Sequence, residues 1–391
     1  MRFTKYIVLG SAATLAAAFL VSAASDKAKL PAPFHTPSST NGPKVVLRPE
    51  GSKLIVPTGF TIEEFAGDFK RPRMMLLGPS KELLVTDSVA DGGVFVLNGK
   101  DRKALITGLD RPFGIAWWKD YLYVGEPTSV KRYKYDKKTM TAGKGEEVVN
   151  MTGFGKGHNS RALLFDRKGE KLYVTIGSES NVSMGEDPMR ATISRYNPDG
   201  SGKEMIATGT RNPTSIHWYP GTNRLFAAVQ ERDALGDDLV PDYLTEIKTG
   251  GFYGWPLAYV GPNEDPRNKG KNPEMAAKTI EPDLLLGAHV AVLDFIFYDG
   301  KQFPKEYQGG VFAAFHGSWN RAQRVGQTVV FIPFKNGKPA GEIREFLSGW
   351  MLSPDSKNVW GRPVGLLQMP DGSMLVTDDG GNKIWRIAYK G

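Results

Sequence analysis

The sequence predicts an all-β fold, a six-bladed β-propeller of four-stranded antiparallel blades, and three observations support this prediction. A short theme of a turn, an apolar strand and a polar residue recurs six times along the chain. A second motif precedes each copy, and a third strand-like segment follows most copies. The composition agrees, because 45 glycines, 26 prolines and 11% aromatic residues favour turns and strands over long helices.

The recurring strand theme shares an apolar run that ends on a polar residue. Its copies are KELLVTD (81–87), DYLYVGE (120–126), EKLYVTIGS (170–178), NRLFAAVQE (223–231), GGVFAAFH (309–316) and GSMLVTD (372–378). The motif before each copy places a basic residue ahead of a strand. Its copies begin KRPRMMLL (70), DRPFGIAW (110), GHNSRALLF (157), TRNPTSIHW (210), GAHVAVLDF (287) and GRPVGLLQM (361).

Six small antiparallel meanders at intervals of about 40 to 85 residues indicate a ring of blades. A closed ring protects its sheet edges, which suits a chain without cysteine. A β-sandwich would not repeat its sequence, and an α/β fold would need helical crossovers between the copies. The longest interval, 251–287, carries the polar insertion NEDPRNKGKNPEMAAKTIEPD, which we expect to form a loop or short helix on one rim.

The N-terminal residues 1–24 have the layout of a secretory signal peptide. Arg2 and Lys5 precede an apolar run over 6–21, and small residues follow it. An uncleaved anchor is the alternative, since about 18 to 20 apolar residues can span a bilayer. Residues 25–50 are rich in Pro, Ser and Lys and predict a linker or strap, which leaves 51–391 as the propeller domain. The expected location is periplasmic or secreted.

Charge and cysteine usage narrow the classes of partner. The formal net charge of +8 is spread along the chain without a run of five like charges, so nucleic-acid binding is not expected. The absence of cysteine excludes both a lipid-modified cysteine and disulfides. After signal cleavage we expect no membrane insertion.

Superposing the repeats places the residues before each first strand at one mouth of the channel. This predicted ring contains Arg71 or Arg73, Arg111, His158 with Arg161, Arg211, His289 and Arg362. Such a cationic ring needs an anionic partner, and the planar guanidinium suits carboxylates or phosphates. For Arg71, Arg73 and Arg111, ion pairs between blades are an equally good interpretation.

An acidic stretch after the fourth repeat, ERDALGDDLVPDYLTEI (231–247), starts near the same mouth. Asp237, Asp238 and Asp242 with flexible Gly236 offer the oxygen ligands that Ca²⁺ prefers. A solvated acidic loop is the alternative. Without cysteine and with scattered histidines, a dedicated zinc site is not expected.

Seven motifs occur in an order that resembles the bacterial glucose/sorbosone dehydrogenase family, which comprises soluble propellers holding pyrroloquinoline quinone and Ca²⁺. They are GHNSRALLF, TRNPTSIHW, LGDDLVPDYLT, GGFYGWP, LGAHVAVLDFIFYDG, FHGSWNR and GRPVGLLQMPDGSMLVTDDGGNKIWRI. The resemblance extends over residues 57–387. It implies a sugar dehydrogenase that passes electrons to a periplasmic acceptor such as a cytochrome.

The resemblance also implies roles for individual positions. His158 matches the general base, Arg211 and Asn212 match residues that hold the quinone near its reacting carbonyl, and Arg362 matches a carboxylate ligand. The calcium positions match Gly236, Asp237 and Asp242. Further cofactor contacts are expected among His316, Arg321, Arg111, Arg161 and His289.

The implied reaction removes a hydroxyl proton and a hydride from an alcohol or hemiacetal. A neutral imidazole suits the proton transfer, and Arg211 beside the quinone oxygen stabilises developing charge. One position departs from the family pattern, because Ser178, followed by Glu179, stands where an aspartate orients the base. The long loops that shape the pocket of glucose oxidisers have no match here, so we expect an aldose, sorbosone-like or related polyol-aldehyde substrate.

Two other classes of function stay open at this point. A propeller lactonase or esterase would use Ca²⁺ to polarise a carbonyl without a quinone. A propeller without enzymatic activity would bind a carbohydrate or a protein partner on the same scaffold.

Overall fold

The computed structural model of this chain describes residues 29–99 and 101–391. The predicted signal peptide, residues 1–24, lies outside the described residues. Within them, six four-stranded antiparallel sheets follow one another along the chain, and the first strands of neighbouring sheets contact each other. The prediction of a six-bladed propeller is therefore confirmed. In each blade we number the strands outward from the channel.

The first three blades are formed by consecutive segments of the chain. Blade 1 contains Pro72–Leu77, Leu83–Asp87, Gly92–Asn98 and Asp101–Leu109. Blade 2 contains Ile115–Trp118, Tyr121–Glu126, Ser129–Asp136 and Thr141–Asn150. Blade 3 contains Leu163–Phe165, Leu172–Ile176, Thr192–Tyr196 and Glu204–Thr208, with Gly251–Phe252 added in parallel at its outer edge.

The other three blades complete the ring. Blade 4 contains Asn212–Trp218, Leu225–Gln230, Pro241–Glu246 and Leu284–Ala288. Blade 5 contains Val292–Phe297, Val311–Phe315, Thr328–Ile332 and Arg344–Leu347. Blade 6 contains Pro363–Gln368, Met374–Asp378, Lys383–Tyr389 and, as its outer strand, Phe60–Ala66.

The N-terminal strand of the propeller closes the ring. Phe60–Ala66 pairs antiparallel with the C-terminal strand Lys383–Tyr389, with Ile62 opposite Ile387. The Phe60 ring lies 4.8 Å from Phe303 and 5.0 Å from Phe346, in both cases edge to face. The two ends of the domain are thus held together by a ladder of backbone hydrogen bonds and by aromatic packing.

The core lies between the blades, because each sheet buries both faces against its neighbours. The second strands are buried along their whole apolar length, as in Leu83–Asp87 and Leu172–Ile176. Their alternate side chains pack against opposite neighbouring blades, so these strands are continuously apolar rather than alternating. The buried strands therefore fix where the polar residues at their ends are placed.

Short elements lie outside the blades. The insertion between the third and fourth strands of blade 4 forms Ala258–Tyr259, Asn263–Glu264 and the helix Pro273–Ala276, whose first turn is capped by the Asn272 side chain. This agrees with the expected loop or short helix. The remaining elements are the 3₁₀ turn Lys305–Tyr307, the pair Phe334–Lys335 and Lys338–Pro339, and the parallel pair Lys44–Val45 and Asn358–Val359.

The described part of the predicted linker, residues 29–50, lies along the propeller surface. Phe34 donates its backbone N–H to Leu235 O, Thr36 Oγ1 accepts the backbone N–H of Asp237, and Asn320 donates to Ser39 O. This strap therefore contacts the predicted calcium loop. In the residues that the structure describes, no helix is long and apolar enough to cross a membrane.

Candidate functional site

One hydrogen-bonding arrangement recurs at the mouth where the first strands begin. The acidic residue that ends the second strand accepts a backbone N–H just before the first strand of the same blade. Asp378 accepts from Arg362 at 2.7 Å, Glu126 accepts from Asp110 at 2.8 Å, and Asp87 accepts from Arg71. In blades 1, 2 and 6 the repeated pairing of basic and acidic positions in the sequence thus reflects a hydrogen bond within the blade.

Blade 3 departs from this arrangement at His158. Here Ser178 ends the second strand, and its carbonyl oxygen accepts the backbone N–H of His158 at 3.0 Å. The same carbonyl lies 2.9 Å from Nδ1 of the imidazole, and Ser178 Oγ lies 3.0 Å from Nδ1. Because a carbonyl oxygen only accepts, Nδ1 carries the hydrogen, and the unprotonated Nε2 makes no hydrogen bond to any described residue.

The charge state of His158 follows from its surroundings. Burial, and then the nearby guanidinium of Arg211, lowers the pKa of His158 to about 3. The imidazole is therefore neutral at physiological pH, with a lone pair available on Nε2. The Glu179 carboxylate lies 3.6 Å from Arg190, and it forms no hydrogen bond with the ring among the described contacts.

Arg211 and Asn212 lie beside His158. Arg211 is buried and donates to Asn181 Oδ1 at 2.9 Å, to Asp233 Oδ2 at 3.0 Å and to the carbonyl of Glu231. Asn212 donates to Gln230, and its Oδ1 is buried without a partner among the described residues.

A glycine permits this close approach between blades 3 and 4. A Cβ at Gly177 would lie 2.5 Å from Asn212 Oδ1 and 2.5 Å from the His158 Cβ. Real Cβ atoms do not approach this closely, so any side chain at Gly177 would push His158 and Asn212 apart. Gly177 is thus part of the site although it carries no functional group.

Asp233 connects this group to His289. Its Oδ1 lies 3.4 Å from His289 Nδ1, while Nε2 of the same ring lies 2.9 Å from the carbonyl of Gly236. Burial opposes ionisation, but His289 and Arg211 together hold the pKa of Asp233 below its ordinary value. The carboxylate of Asp233 therefore compensates the Arg211 guanidinium that lies beside His158.

The structure places Arg161 away from the open mouth. Its side chain is completely buried, and its guanidinium donates to the carbonyls of His158, Ser160, Pro127 and Phe154. Burial lowers the pKa of Arg161 to about 9. Arg161 therefore fixes the turn that carries His158. The sequence had led us to expect a cofactor contact at Arg161, but its guanidinium is not available to a ligand.

A second cationic group lies where blades 5, 6 and 1 meet. Asp379 accepts from Arg73 at 2.5 Å, from Arg71 at 3.2 Å and from His316 Nε2 at 2.8 Å. Arg362 donates to the carbonyl of His316 at 3.1 Å. One carboxylate thus faces three guanidinium groups.

Burial is the main cause of the low pKa values of the basic side chains in this cationic group. Burial and the charge of Arg362 lower the pKa of His316 to about 3, and burial lowers the pKa of Arg362 to about 10. Burial acts in the opposite direction on Asp379, but Arg73 and His316 hold the pKa of this carboxyl well below its usual range.

Arg111 lies apart from both groups. Its guanidinium forms a two-pronged ion pair with the neighbouring Asp110, at 2.8 Å for each contact, and about a third of the side chain is exposed. It is paired within its own turn, not between blades as the ion-pair interpretation made from the sequence had expected. The interpretation is correct for Arg71 and Arg73, which pair with Asp379 across the boundary between blades 1 and 6.

The predicted calcium positions do not converge. Both carboxylate oxygens of Asp242 accept backbone N–H groups, from Glu231 at 2.8 Å and Val292 at 3.2 Å, and burial raises its pKa to about 7. Asp237 accepts from Ala322 at 3.0 Å, and Arg321 donates to the Asp237 carbonyl. Among the residues that the structure describes, no group of three or more His, Asp or Glu side chains could hold a metal ion.

Four residues of the site were not singled out from the sequence: Gly177, Asn181, Asp233 and Asp379. Asp379 directly follows the strand-ending Asp378, and only the doubled acid in VTDDGG could have pointed to it. Asp378 is turned inward, where its Oδ2 accepts from the indoles of Trp350 and Trp385. Asn181 and Asp233 lie in loops after second strands, where no repeat signal exists.

Comparison with known proteins agrees with this geometry. Residues 54–240 and 258–390 match the model of the TrAA12-like family. An uncharacterised protein of Borreliella burgdorferi is 31% identical over 364 residues, which cover 87% of this chain and 92% of the relative. The family match confirms the resemblance that the sequence motifs indicated.

Solved structures share the fold at lower identity. The calcium structure of Trichoderma reesei Carbohydrate-Active Enzymes Family AA12 superimposes with a TM-score of 0.74 at 20% identity, covering 88% of this chain and 98% of that chain. The holo form of the pyranose dehydrogenase PQQ domain from Coprinopsis cinerea gives 0.73 at 20% identity, covering 90% and 100%. From the family match and the relative together, the chain belongs to the TrAA12-like family.

Proposed function

We propose that the protein is a pyrroloquinoline quinone-dependent dehydrogenase that oxidises an aldose, a sorbosone-like compound or a related polyol aldehyde. The observation that carries the proposal is the neutral imidazole of His158, with Nε2 free at the mouth where Arg211 and Asn212 also lie. Membership of the TrAA12-like family and the fold shared with a pyranose dehydrogenase PQQ domain support it.

The cationic group at blades 5, 6 and 1 fits an anionic quinone that carries several carboxylates. Arg71 and Arg73 both pair with the carboxylate of Asp379, and the nearby Arg362 instead donates to the carbonyl of His316, so the group retains an excess of positive charge. The buried Nε of Arg73 has no hydrogen-bond partner among the described residues. Guanidinium groups bind carboxylates through paired hydrogen bonds, so these arginines are the residues that would hold the cofactor.

When bound, the quinone would supply the hydride acceptor for the reaction. His158 would take the hydroxyl proton of the substrate on Nε2, while Ser178 keeps the hydrogen on Nδ1. Burial, and then the positive charge of the Arg211 guanidinium, keeps the imidazole neutral before the reaction. Arg161 holds the turn of His158 in place through its four carbonyl contacts.

Gly236, Asp237 and Asp242 are the residues that would hold Ca²⁺, but among the described residues their carboxylates do not form a cluster of three or more side-chain ligands. The oxygens of Asp242 are used by backbone N–H groups, and the Gly236 carbonyl accepts from His289. We therefore derive no step of the reaction from calcium. A periplasmic electron acceptor such as a cytochrome remains part of the proposal as the partner that would reoxidise the quinone.

The proposal is tested by adding pyrroloquinoline quinone to the purified chain 25–391 and recording the absorbance of the quinone. Dye reduction is then followed on a panel of sugars and alcohols, with and without Ca²⁺. We expect a spectral change on mixing and dye reduction with at least one aldose or polyol aldehyde. The absence of any spectral change would overturn the proposal, and metal-dependent lactone hydrolysis without quinone would favour a lactonase instead.

A matched pair of variants tests whether quinone binding depends on the cationic group itself or only on the positive charge of the whole protein. Arg73→Met removes a buried guanidinium from the cationic group, whereas Arg344→Met removes an exposed one that pairs with Glu306 on the rim. We expect Arg73→Met to weaken quinone binding by about tenfold or more, since charge-assisted hydrogen bonds contribute about 1.5 to 3 kcal/mol. Equal effects of the two substitutions would show that the cationic group is not the binding site.

A further inference from the structure

Two short apolar runs lie at the end of the strap and just after it. Their sequences are KVVLR (44–48) and KLIVP (53–57). Val46, Leu54 and Val56 pack against the core cluster between blades 5 and 6. The residues beside them point away from the core, as alternate residues of a paired, extended segment do.

The side chains that point away from the core are apolar as well. Leu47 is 93% exposed, Ile55 is 63% exposed and Val45 is 45% exposed. With Leu352, at 42%, they make up four of the eight exposed large apolar side chains in the described residues. An extended segment with one solvated face normally carries polar residues on that face, whereas continuous apolar runs are typical of segments covered on both faces. We call Val45, Leu47, Ile55 and Leu352 the rim patch.

Backbone pairing holds the rim patch together. Val45 pairs in parallel with Val359, which also bridges Met351 beside the fourth member of the patch. Ile55 exchanges two backbone hydrogen bonds with Ser348 of the same segment, at 2.9 and 3.0 Å. This segment follows the fourth strand of blade 5, and fourth strands end at the mouth where first strands begin. The rim patch therefore lies on the outer rim between blades 5 and 6, on the side of the ring that carries the proposed site.

Basic side chains surround the rim patch. The segments that carry it, 43–56 and 348–360, hold four exposed basic residues and two exposed acidic ones: Lys44, Arg48, Lys53 and Lys357, with Glu50 and Asp355. The net charge of these segments is therefore +2. Exposed apolar side chains among basic ones are typical of a surface that lies on an anionic bilayer.

The small size of the rim patch favours a bilayer over a protein partner. A stable protein interface buries about 800 Å² on each partner and involves about 20 to 30 residues a side, far more than four apolar side chains provide. A bilayer needs no complementary shape, because lipids rearrange around each side chain that enters them. In the sequence, the patch also follows the predicted signal peptide, which directs a chain to a membrane.

We propose that the rim patch is a peripheral docking surface for an anionic lipid bilayer. Its apolar side chains enter the interfacial layer, and the surrounding lysine and arginine side chains remain with the phosphates of the headgroups. The contact is reversible, because a few apolar side chains and a few charges give only weak binding. The proposal is independent of the dehydrogenase reaction, because no residue of that site belongs to the patch.

The test measures sedimentation of the purified chain 25–391 with vesicles of phosphatidylcholine, with and without phosphatidylglycerol. We expect at least about tenfold tighter binding to the anionic vesicles, and weaker binding as the salt concentration rises. Leu47→Ser combined with Ile55→Ser should weaken binding at least about tenfold. Lys53→Gln should weaken it about fivefold. The matched controls Met205→Ser and Lys203→Gln, which change exposed residues at the outer strand of blade 3, should leave binding unchanged.

A second measurement locates the contact directly. Because the chain has no cysteine, a dye can be attached at a single chosen position. A dye that reports polarity should shift its emission to the blue on anionic vesicles when it is attached to Leu47→Cys. The same dye on Met205→Cys should show no shift.

Several results would overturn the proposal. They are the absence of binding up to about 1 mM lipid, equal binding to both kinds of vesicle, and equal losses in the patch variants and their controls. Light scattering covers the other possible occupant, a second copy of this chain. Dimers of the unaltered chain that Leu47→Ser with Ile55→Ser abolishes would assign the patch to self-association instead.

Discussion

Nδ1 of His158 faces two oxygens of Ser178, the carbonyl at 2.9 Å and the hydroxyl at 3.0 Å. The hydroxyl itself donates to the carbonyl of Ser180 at 2.7 Å, so it can only accept from the imidazole. Two neutral acceptors hold the ring in one tautomer without adding a negative charge. Ser178 therefore orients the imidazole but, unlike an aspartate, does not raise its pKa strongly.

Replacing Ser178 by aspartate should change the pH dependence of the reaction. A carboxylate beside Nδ1 favours the charged imidazole, so it raises the pKa of His158 from about 3 toward its ordinary value. The acid limb of kcat/KM should then move to higher pH in Ser178→Asp. The pH profile of dye reduction measures this shift, and an NMR titration of the imidazole measures it without turnover.

Ser178→Ala is the control for that prediction. It retains the carbonyl acceptor, so the imidazole should keep its tautomer and its low pKa, with a loss of activity of about tenfold or less. A pKa for His158 that is the same in Ser178→Asp and in the unaltered protein would contradict the assigned contact.

Gly177→Ala should lower turnover without removing any functional group. The added Cβ would lie 2.5 Å from both Asn212 Oδ1 and the His158 Cβ, so the two side chains must separate. We expect a loss of stability of about 1 to 3 kcal/mol, as for overpacked sites, together with a lower kcat. Gly42→Ala is the matched control, because a Cβ there meets nothing within 4 Å. Unchanged kcat in Gly177→Ala would show that the spacing does not matter.

Asp379→Asn should destabilise the protein, because Arg73 and His316 would lose their shared partner. Breaking a buried ion pair from one side costs about 3 to 5 kcal/mol, and both groups are almost fully buried. Urea unfolding at neutral pH measures this difference. The control Glu306→Gln breaks an exposed pair with Arg344 and should cost less than about 1 kcal/mol.

The contribution of Asp379 should also depend on pH in one direction. Its folded pKa lies well below the unfolded value, so the stabilisation is complete above about pH 4 and is lost as the pH falls below it. The difference in unfolding free energy between the unaltered protein and Asp379→Asn should therefore shrink in acid. A difference that grows in acid would contradict this assignment.

Phe60→Ala tests how the ring is closed. Phe60 contacts Phe303, Tyr307, Phe346 and Tyr389 at centroid distances of 4.8 to 5.4 Å. Removing a buried phenylalanine costs about 3 to 5 kcal/mol, and here it also loosens the strand that joins the two ends of the domain. Thermal unfolding measures the loss. The control Phe34→Ala, in the exposed strap, should change the unfolding free energy by less than about 0.5 kcal/mol.

The sequence predicts the fold well because the repeat appears in the residues themselves. Each blade carries a basic position before its first strand and an apolar second strand, as at Arg362 and Met374–Asp378. The outer strand of blade 6 was harder to predict from the repeat, because this strand, Phe60–Ala66, comes from the other end of the propeller domain. The pairing of this strand with Lys383–Tyr389 becomes apparent only once the blades are closed into a ring.

The site is less predictable, because its contacts join different blades. The repeat placed His158, Arg211 and Arg362 at one mouth, but it also placed Arg161 there, which is instead buried among backbone carbonyls. Sequence superposition gives the position of a Cα atom and not the direction of a long side chain. Asp242 was similarly misjudged as an open oxygen ligand, because nothing in its sequence shows that backbone N–H groups use both oxygens.

The measurement that tests the central claim most directly compares His158→Ala with Arg211→Ala after addition of pyrroloquinoline quinone. His158→Ala should bind the quinone with unchanged affinity, as judged by its absorbance, and should lower kcat for dye reduction by at least about a hundredfold. In Arg211→Ala, by contrast, the primary effect should be weaker quinone binding. If His158→Ala keeps near-normal turnover, the imidazole is not the proton acceptor, and the proposed mechanism is contradicted.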